Sequence, residues 1–168
     1  MGNTTFTGPV RSESTIKTIS KNATSGTITE VITMGDAPVA LGDEDKTLDN
    51  ATHSGRVIAV PAITADRTIT LPAPVAGATF KFIYSGAAEE AQNLIIITPG
   101  NANFFLGNVQ HLDTNADNVG VYANGSSNSK LTLTDFGSME INIVGKDSTN
   151  YYIWGNVVSE DAPAFADQ

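Results

Sequence analysis

His53 and His111 are the chain's two histidines, and there is no cysteine, so imidazole or thiolate chemistry has only these two starting points. A nucleophile, base and orienting acid must be positioned together for acyl transfer. Neither histidine has a second one near it in sequence, and no G-x-S-x-G elbow is present. Both lie in loop-like runs and are expected to be surface residues. S-x-x-K occurs at Ser14–Lys17 and Ser127–Lys130 without the companion S-D-N and K-T-G motifs. Gly42-Asp43-Glu44-Asp45-Lys46-Thr47 has carboxylates where a phosphate loop needs bare backbone amides. The expectation is a non-enzymatic protein with no catalytic residues.

Metal chemistry has equally thin material. Asp113-Thr114-Asn115-Ala116-Asp117 supplies the first three oxygens of a calcium loop, but Asn118 stands where the turn glycine belongs and Asn124 where a bidentate glutamate belongs. The acidic run Asp43-Glu44-Asp45 reads more simply as a solvated loop than as a cation site. Glu89-Glu90 are neighbours in a turn, not the opposed carboxylates of a glycosidase. Neither a metal nor a cofactor is expected.

Acidic residues outnumber basic ones 18 to 9, for a net charge of −9, which opposes direct contact with nucleic acid. The charge is unevenly spread. Arg11, Lys17 and Lys21 against Glu13 and Glu30 leave the first 34 residues at +1, and the remainder carries −10. No apolar run approaches a membrane span, and Met1-Gly2-Asn3-Thr4-Thr5 begins neither a signal peptide nor a myristoylation pattern. The chain is therefore expected to be soluble, without a membrane partner.

The elements that must position anything are short strands. Period-two alternation is clear in TFKFIY (79–84), where Phe80, Phe82 and Tyr84 share a face, and in LTLTDF (131–136) and SMEINIVG (138–145). TITEVITM (27–34), RVIAV (56–60), RTITL (67–71), NLIIIT (93–98), FFLG (104–107) and VGVYA (119–123) also read as strands. YYIWGNVV (151–158) is expected to close the core with Trp154, the sole tryptophan. Residues 35–55 and 99–130 read as long loop regions, and AAEEAQ (87–92) is the best helix candidate. No fixed-period repeat is visible, which argues against a solenoid. The expected fold is an all-β, antiparallel β-sandwich or jelly-roll-like body over 27–158, with an extended N-terminal arm at 1–26 and an acidic tail at 159–168.

Asn3-Thr4-Thr5-Phe6-Thr7-Gly8-Pro9-Val10-Arg11-Ser12-Glu13 resembles the opening of small structural proteins encoded in phage genomes, marine and cyanobacterial ones in particular. The stretch from Thr68 to Tyr84, with Tyr151–Gly155, looks like the β-rich body of phage decoration and fibre-associated domains. The resemblance implies a capsid decoration, or cement, protein of a tailed bacteriophage. Such proteins form homotrimers on the outer capsid surface and grip the major capsid protein with an N-terminal arm. It would be made in the host cytoplasm and end in the virion. Phe6, Pro9, Val10 and Arg11 are the candidate capsid-binding residues, because apolar plugs on an extended, proline-stiffened segment suit docking along another surface. The alternative is a tail fibre or spike module whose long loops bind a host receptor or glycan.

Overall fold

The computed structural model describes residues 18–31, 37–115 and 118–168. The chain divides into two units, residues 1–37 and 38–168.

In the first unit, β1 (Thr18–Lys21) pairs antiparallel with β2 (Ile28–Val31). The hairpin turn is made by side-chain chemistry. Asn22 Oδ1 accepts from the backbone N–H of Thr24 and Ser25 at 2.8 and 2.9 Å. Gly26, at φ +72°, then takes the left-handed conformation that returns the chain. Residues 28–31, expected to begin the body, thus pair within the N-terminal unit.

The second unit begins as a flattened coil. β3 (Val39–Ala40), β5 (Arg56–Val60) and β7 (Thr79–Tyr84) lie in one sheet, and β4 (Lys46–Thr47), β6 (Arg67–Thr70) and β8 (Leu94–Ile97) in the other. Each crossing leaves one sheet and enters the opposite one, so strands that become neighbours run the same way. β3–β5–β7 and β4–β6–β8 are accordingly parallel. Parallel neighbours need a connection of roughly a dozen residues or more; here a strand of the facing sheet does the work usually given to a helix.

Val39 pairs with Ile58 and Arg56 with Phe80, so successive turns in this sheet take 19 and 24 residues. On the other side Lys46 pairs with Ile69 and Arg67 with Leu94, giving 23 and 27. This unequal spacing is why a solenoid-like path left no fixed repeat in the sequence.

The remaining strands close the coil. β9 (Phe104–Asp113), β10 (Val119–Asn124), β12 (Phe136–Gly145) and β13 (Asn150–Ser159) complete a seven-stranded sheet ordered β10-β9-β13-β12-β7-β5-β3. β11 (Lys130–Leu133) and β14 (Ala164–Ala166) complete a five-stranded sheet ordered β14-β11-β8-β6-β4. The expected all-β sandwich is therefore present, but the purely antiparallel pairing is not. Besides the coil, β13 runs parallel to β9 over its whole length.

Alternating side chains explain why these segments are strands. Phe80 and Phe82 of β7, Ile141 and Ile143 of β12, and Leu131 and Leu133 of β11 point inward and are buried, with the intervening residues outward. Tyr151, Phe105 and Phe136 add the largest buried side chains. Each such apolar side chain contributes about 1.5–3 kcal/mol on full burial. The sheets meet through contacts such as Phe105 with Phe165, ring centroids 6.2 Å apart, and the Tyr151 hydroxyl donating to Pro72 O at 2.6 Å.

Three expected loop or tail regions are partly ordered elements. Residues 35–55 contain β3, β4 and α1 (Asn50–His53), a short helix whose N-cap Asp49 accepts from Thr52 N at 2.7 Å. Residues 99–130 contain β9 and β10, where the strands expected at 104–107 and 119–123 are present and the first extends to Asp113. The acidic tail supplies β14, which pairs with β11, and Gln168 Nε2 donates to Thr98 O at 2.8 Å. AAEEAQ, by contrast, is not helical.

Candidate functional site

Phe6, Pro9, Val10 and Arg11, together with Ser14 and Lys17, lie outside the described residues. Ser127 and Lys130 do not form a nucleophile pair: Ser127 Oγ accepts from Asn124 Nδ2 at 2.8 Å within a turn, and Lys130 starts β11.

Both histidines are buried, which corrects the expected surface placement. His53 closes α1, with Nδ1 3.2 Å from Asp49 Oδ2. His111 is an inward residue of β9, and its Nε2 lies 3.1 Å from Ser159 O. A carbonyl only accepts, so this contact is a hydrogen bond in the tautomer that bears its proton on Nε2. The polar neighbours Gln110 and Asp113 hide the inward phase of this strand from a reading based on hydropathy.

The acidic run braces the coil. Asp43 Oδ1 accepts from Arg67 Nε at 2.7 Å and Asp43 Oδ2 from Thr64 Oγ1 at 2.6 Å, while Asp45 Oδ1 accepts from Thr68 N at 2.8 Å. The Arg67 and Thr64 hydrogen bonds hold Asp43 at about 2, well below the usual carboxylate range. Asp113 Oδ1 accepts from Asn115 N at 2.6 Å, and Asp113 N donates to Asn118 Oδ1 at 3.0 Å, an arrangement that serves the turn itself. Among the described residues no three His, Asp or Glu side chains converge as metal ligands.

Glu90 is buried and contacts the Tyr84 hydroxyl, and its second oxygen accepts from Ile63 N at 3.2 Å. The pair clips the 85–92 segment to the connection after β5.

The exposed feature that sequence reasoning placed wrongly is Trp154. It lies on the outer face of the seven-stranded sheet, 47% exposed, and does not close the core; Tyr151 and Ile153 do. Asn156, polar and of the same parity as Trp154, was the available clue to which half of YYIWGNVV faces water. Through the sheet register Tyr122 pairs with Asn108, Asn108 with Trp154, Trp154 with Asn142, and Asn142 with Lys81. Directly paired residues share a face, so these five form one row across five strands. Tyr122 is 76% exposed, and Tyr152, two residues from Trp154 on the same face, is 44% exposed.

Comparison with known protein families, curated proteins and solved structures finds no match to this chain. What the row can do therefore rests on its own chemistry.

Beside Trp154 lies a recess of about 290 Å³, lined in part by Val57, Lys81, Asn142 and Val144. Lys81 Nζ is 2.9 Å from Glu140 Oε1, which also accepts from Asn142 Nδ2 at 3.3 Å. These hydrogen bonds, Lys81 first, draw the Glu140 carboxyl below its ordinary value. Arg56 also lines the recess, so a guanidinium stands there beside the Lys81–Glu140 pair, and rings, amides and charged groups meet at this face.

Proposed function

We propose that this chain is a virion structural protein, not an enzyme, that decorates the capsid of a tailed phage. Its N-terminal residues bind the major capsid protein, and the body sits on the outer surface as a homotrimer. One observation carries the reading. Every described core residue, from Leu41 to Val157, belongs to the second unit, whereas Asn3–Glu13, the segment with the phage resemblance, belongs to the first. Phe6 and Val10 on that segment offer apolar plugs to a partner surface. The −9 borne by the second unit supports contact with protein and not with packaged DNA. Several weak arm contacts on one trimer would add by avidity.

The test compares capsid binding of the full chain with that of a variant lacking residues 2–20. The truncated protein should keep its thermal unfolding transition and its trimer mass and lose capsid binding. Undiminished binding sinks the arm assignment, and a monomer mass for the full chain sinks the trimer. A tail fibre or spike module is the second reading, favoured by the exposed rings of Trp154, Tyr152 and Tyr122. Labelling intact virions with an antibody separates the two by location.

A further inference from the structure

We propose that the outer face of the seven-stranded sheet is a binding platform for a neutral oligosaccharide, centred on Trp154. A pyranose ring offers a face of C–H groups and a rim of hydroxyls. The first stacks on an aromatic ring; the second needs donors and acceptors at fixed spacing.

The row Tyr122–Asn108–Trp154–Asn142–Lys81 supplies both in alternation. Asn108 and Asn142 flank the indole on its two sides; Asn108 Oδ1 already accepts from Gln110 Nε2 at 3.2 Å and Asn142 Nδ2 donates to Glu140 Oε1 at 3.3 Å, and each amide has capacity for further hydrogen bonds. Tyr122 and Trp154 stand two strands apart, about 9.5 Å, so the two rings match a chain of sugars better than a single one. Tyr152 widens the platform along β13. The recess that Trp154 helps to line gives one sugar a seat.

The ligand's charge follows from the surroundings. Lys81 is already engaged by Glu140 at 2.9 Å, Arg56 at the recess has a partner of its own, and the chain as a whole carries −9, which together disfavour an acidic glycan. A second protein copy would call for a contiguous apolar patch at the centre of the contact. The row through Trp154 interrupts its aromatics with amides at every second strand, whereas the neighbouring row Leu106–Tyr152–Val144 is apolar, so oligomer mass is the control that separates the two occupants.

Trp154 is the only tryptophan, so its fluorescence reads the proposed site directly. Full-length protein would be titrated with gluco- and manno-oligosaccharides of four to six residues and, in parallel, with acidic uronate oligosaccharides. At least one neutral series should change Trp154 emission saturably. Trp154→Ala and Tyr122→Ala, followed by calorimetry, should each weaken that binding by about tenfold or more, as loss of a stacking contact requires, with melting temperature and oligomer mass unchanged.

The platform is overturned if no neutral oligosaccharide binds, if only the acidic series does, or if the Trp154→Ala/Tyr122→Ala protein binds as well as the parent. A change in oligomer mass on substituting either ring, without saccharide binding to the parent, would assign the face to contact between copies and likewise overturn it.

Discussion

Asp43 accepts a hydrogen bond from Arg67 Nε at 2.7 Å, across 24 residues, and so fastens the segment before β4 to the first residue of β6 one turn of the coil later. The same carboxylate accepts from the backbone N–H and the hydroxyl of Thr64, so three donors from residues 64–67 share it. In the turn between β12 and β13, Asp147 receives the backbone N–H of Thr149 and Asn150 and pairs with Lys146, which lowers it to about 2 as well.

These two carboxyls should make the body acid-sensitive. Both fall from an ordinary 3.8 to about 2 in the folded chain. Their contribution is thus complete above the unfolded value and is lost as pH drops from about 4 toward about 2. Thermal unfolding followed over that range should show a falling melting temperature. Asp43→Asn should lower stability near neutral pH, and its deficit against the parent should shrink as pH approaches 2. A deficit independent of pH would mean that the carboxylate charge is not what matters.

At the alkaline end the relevant groups are Tyr84 and Tyr151. Burial is the main cause that pushes each phenol from 10.0 up to about 12, with the Glu90 carboxylate adding to the effect at Tyr84. A raised phenol pKa stabilises the fold below the unfolded value, and that contribution disappears as pH rises from about 10 through about 12. Native protein at about pH 11 should show less phenolate absorbance than the unfolded chain, with the missing amplitude appearing on unfolding. Tyr151→Phe should reduce this deficit.

Tyr84→Phe tests the clip on Glu90. The substitution removes the hydroxyl between Glu90 and Ala88 O and leaves a buried carboxyl with Ile63 N as its remaining described partner. Stranding a buried polar group costs about 1–3 kcal/mol, and chemical denaturation should show a loss of that size. Tyr84→Phe/Glu90→Gln keeps an acceptor for Ile63 N and removes the charge, so it should recover part of the loss.

How much of this was legible in the sequence depended on whether polarity alternated with burial. It did in β7, β11 and β12, where Phe80 and Phe82, Leu131 and Leu133, and Ile141 and Ile143 are separated by Lys or polar residues, so existence and facing were both readable. In β13 the run Tyr151-Tyr152-Ile153-Trp154 is apolar at every position, so its phase was hidden and Trp154 was placed inside. Two-residue strands such as β3 and β4 leave no period to detect. The parallel coil was unreadable for another reason: its pairing is fixed by the Asp43 and Asp45 braces and by turns of unequal length, neither of which alters local hydropathy. At the candidate site the residue types were visible, but only the register across β10, β9, β13, β12 and β7 brings them into one row.

Gly107 tests the longest parallel ladder, between β9 and β13. It sits opposite Ile153 at φ +143°, a left-handed-side conformation that L side chains rarely adopt, and a Cβ there would lie 1.9 Å from Ile153 O. That oxygen is backbone within the ladder, so it cannot retreat without breaking strand pairing. Gly107→Ala should therefore lose at least about 2 kcal/mol, combining backbone strain with the clash. Gly100, with no atom within 4 Å of a built Cβ and no positive φ, is the control. Gly100→Ala should stay within about 0.5 kcal/mol of the parent. Equal stability of the two variants in denaturant titrations would show that β9 can shift against β13, and with it the Asn108–Trp154 pairing one residue further along.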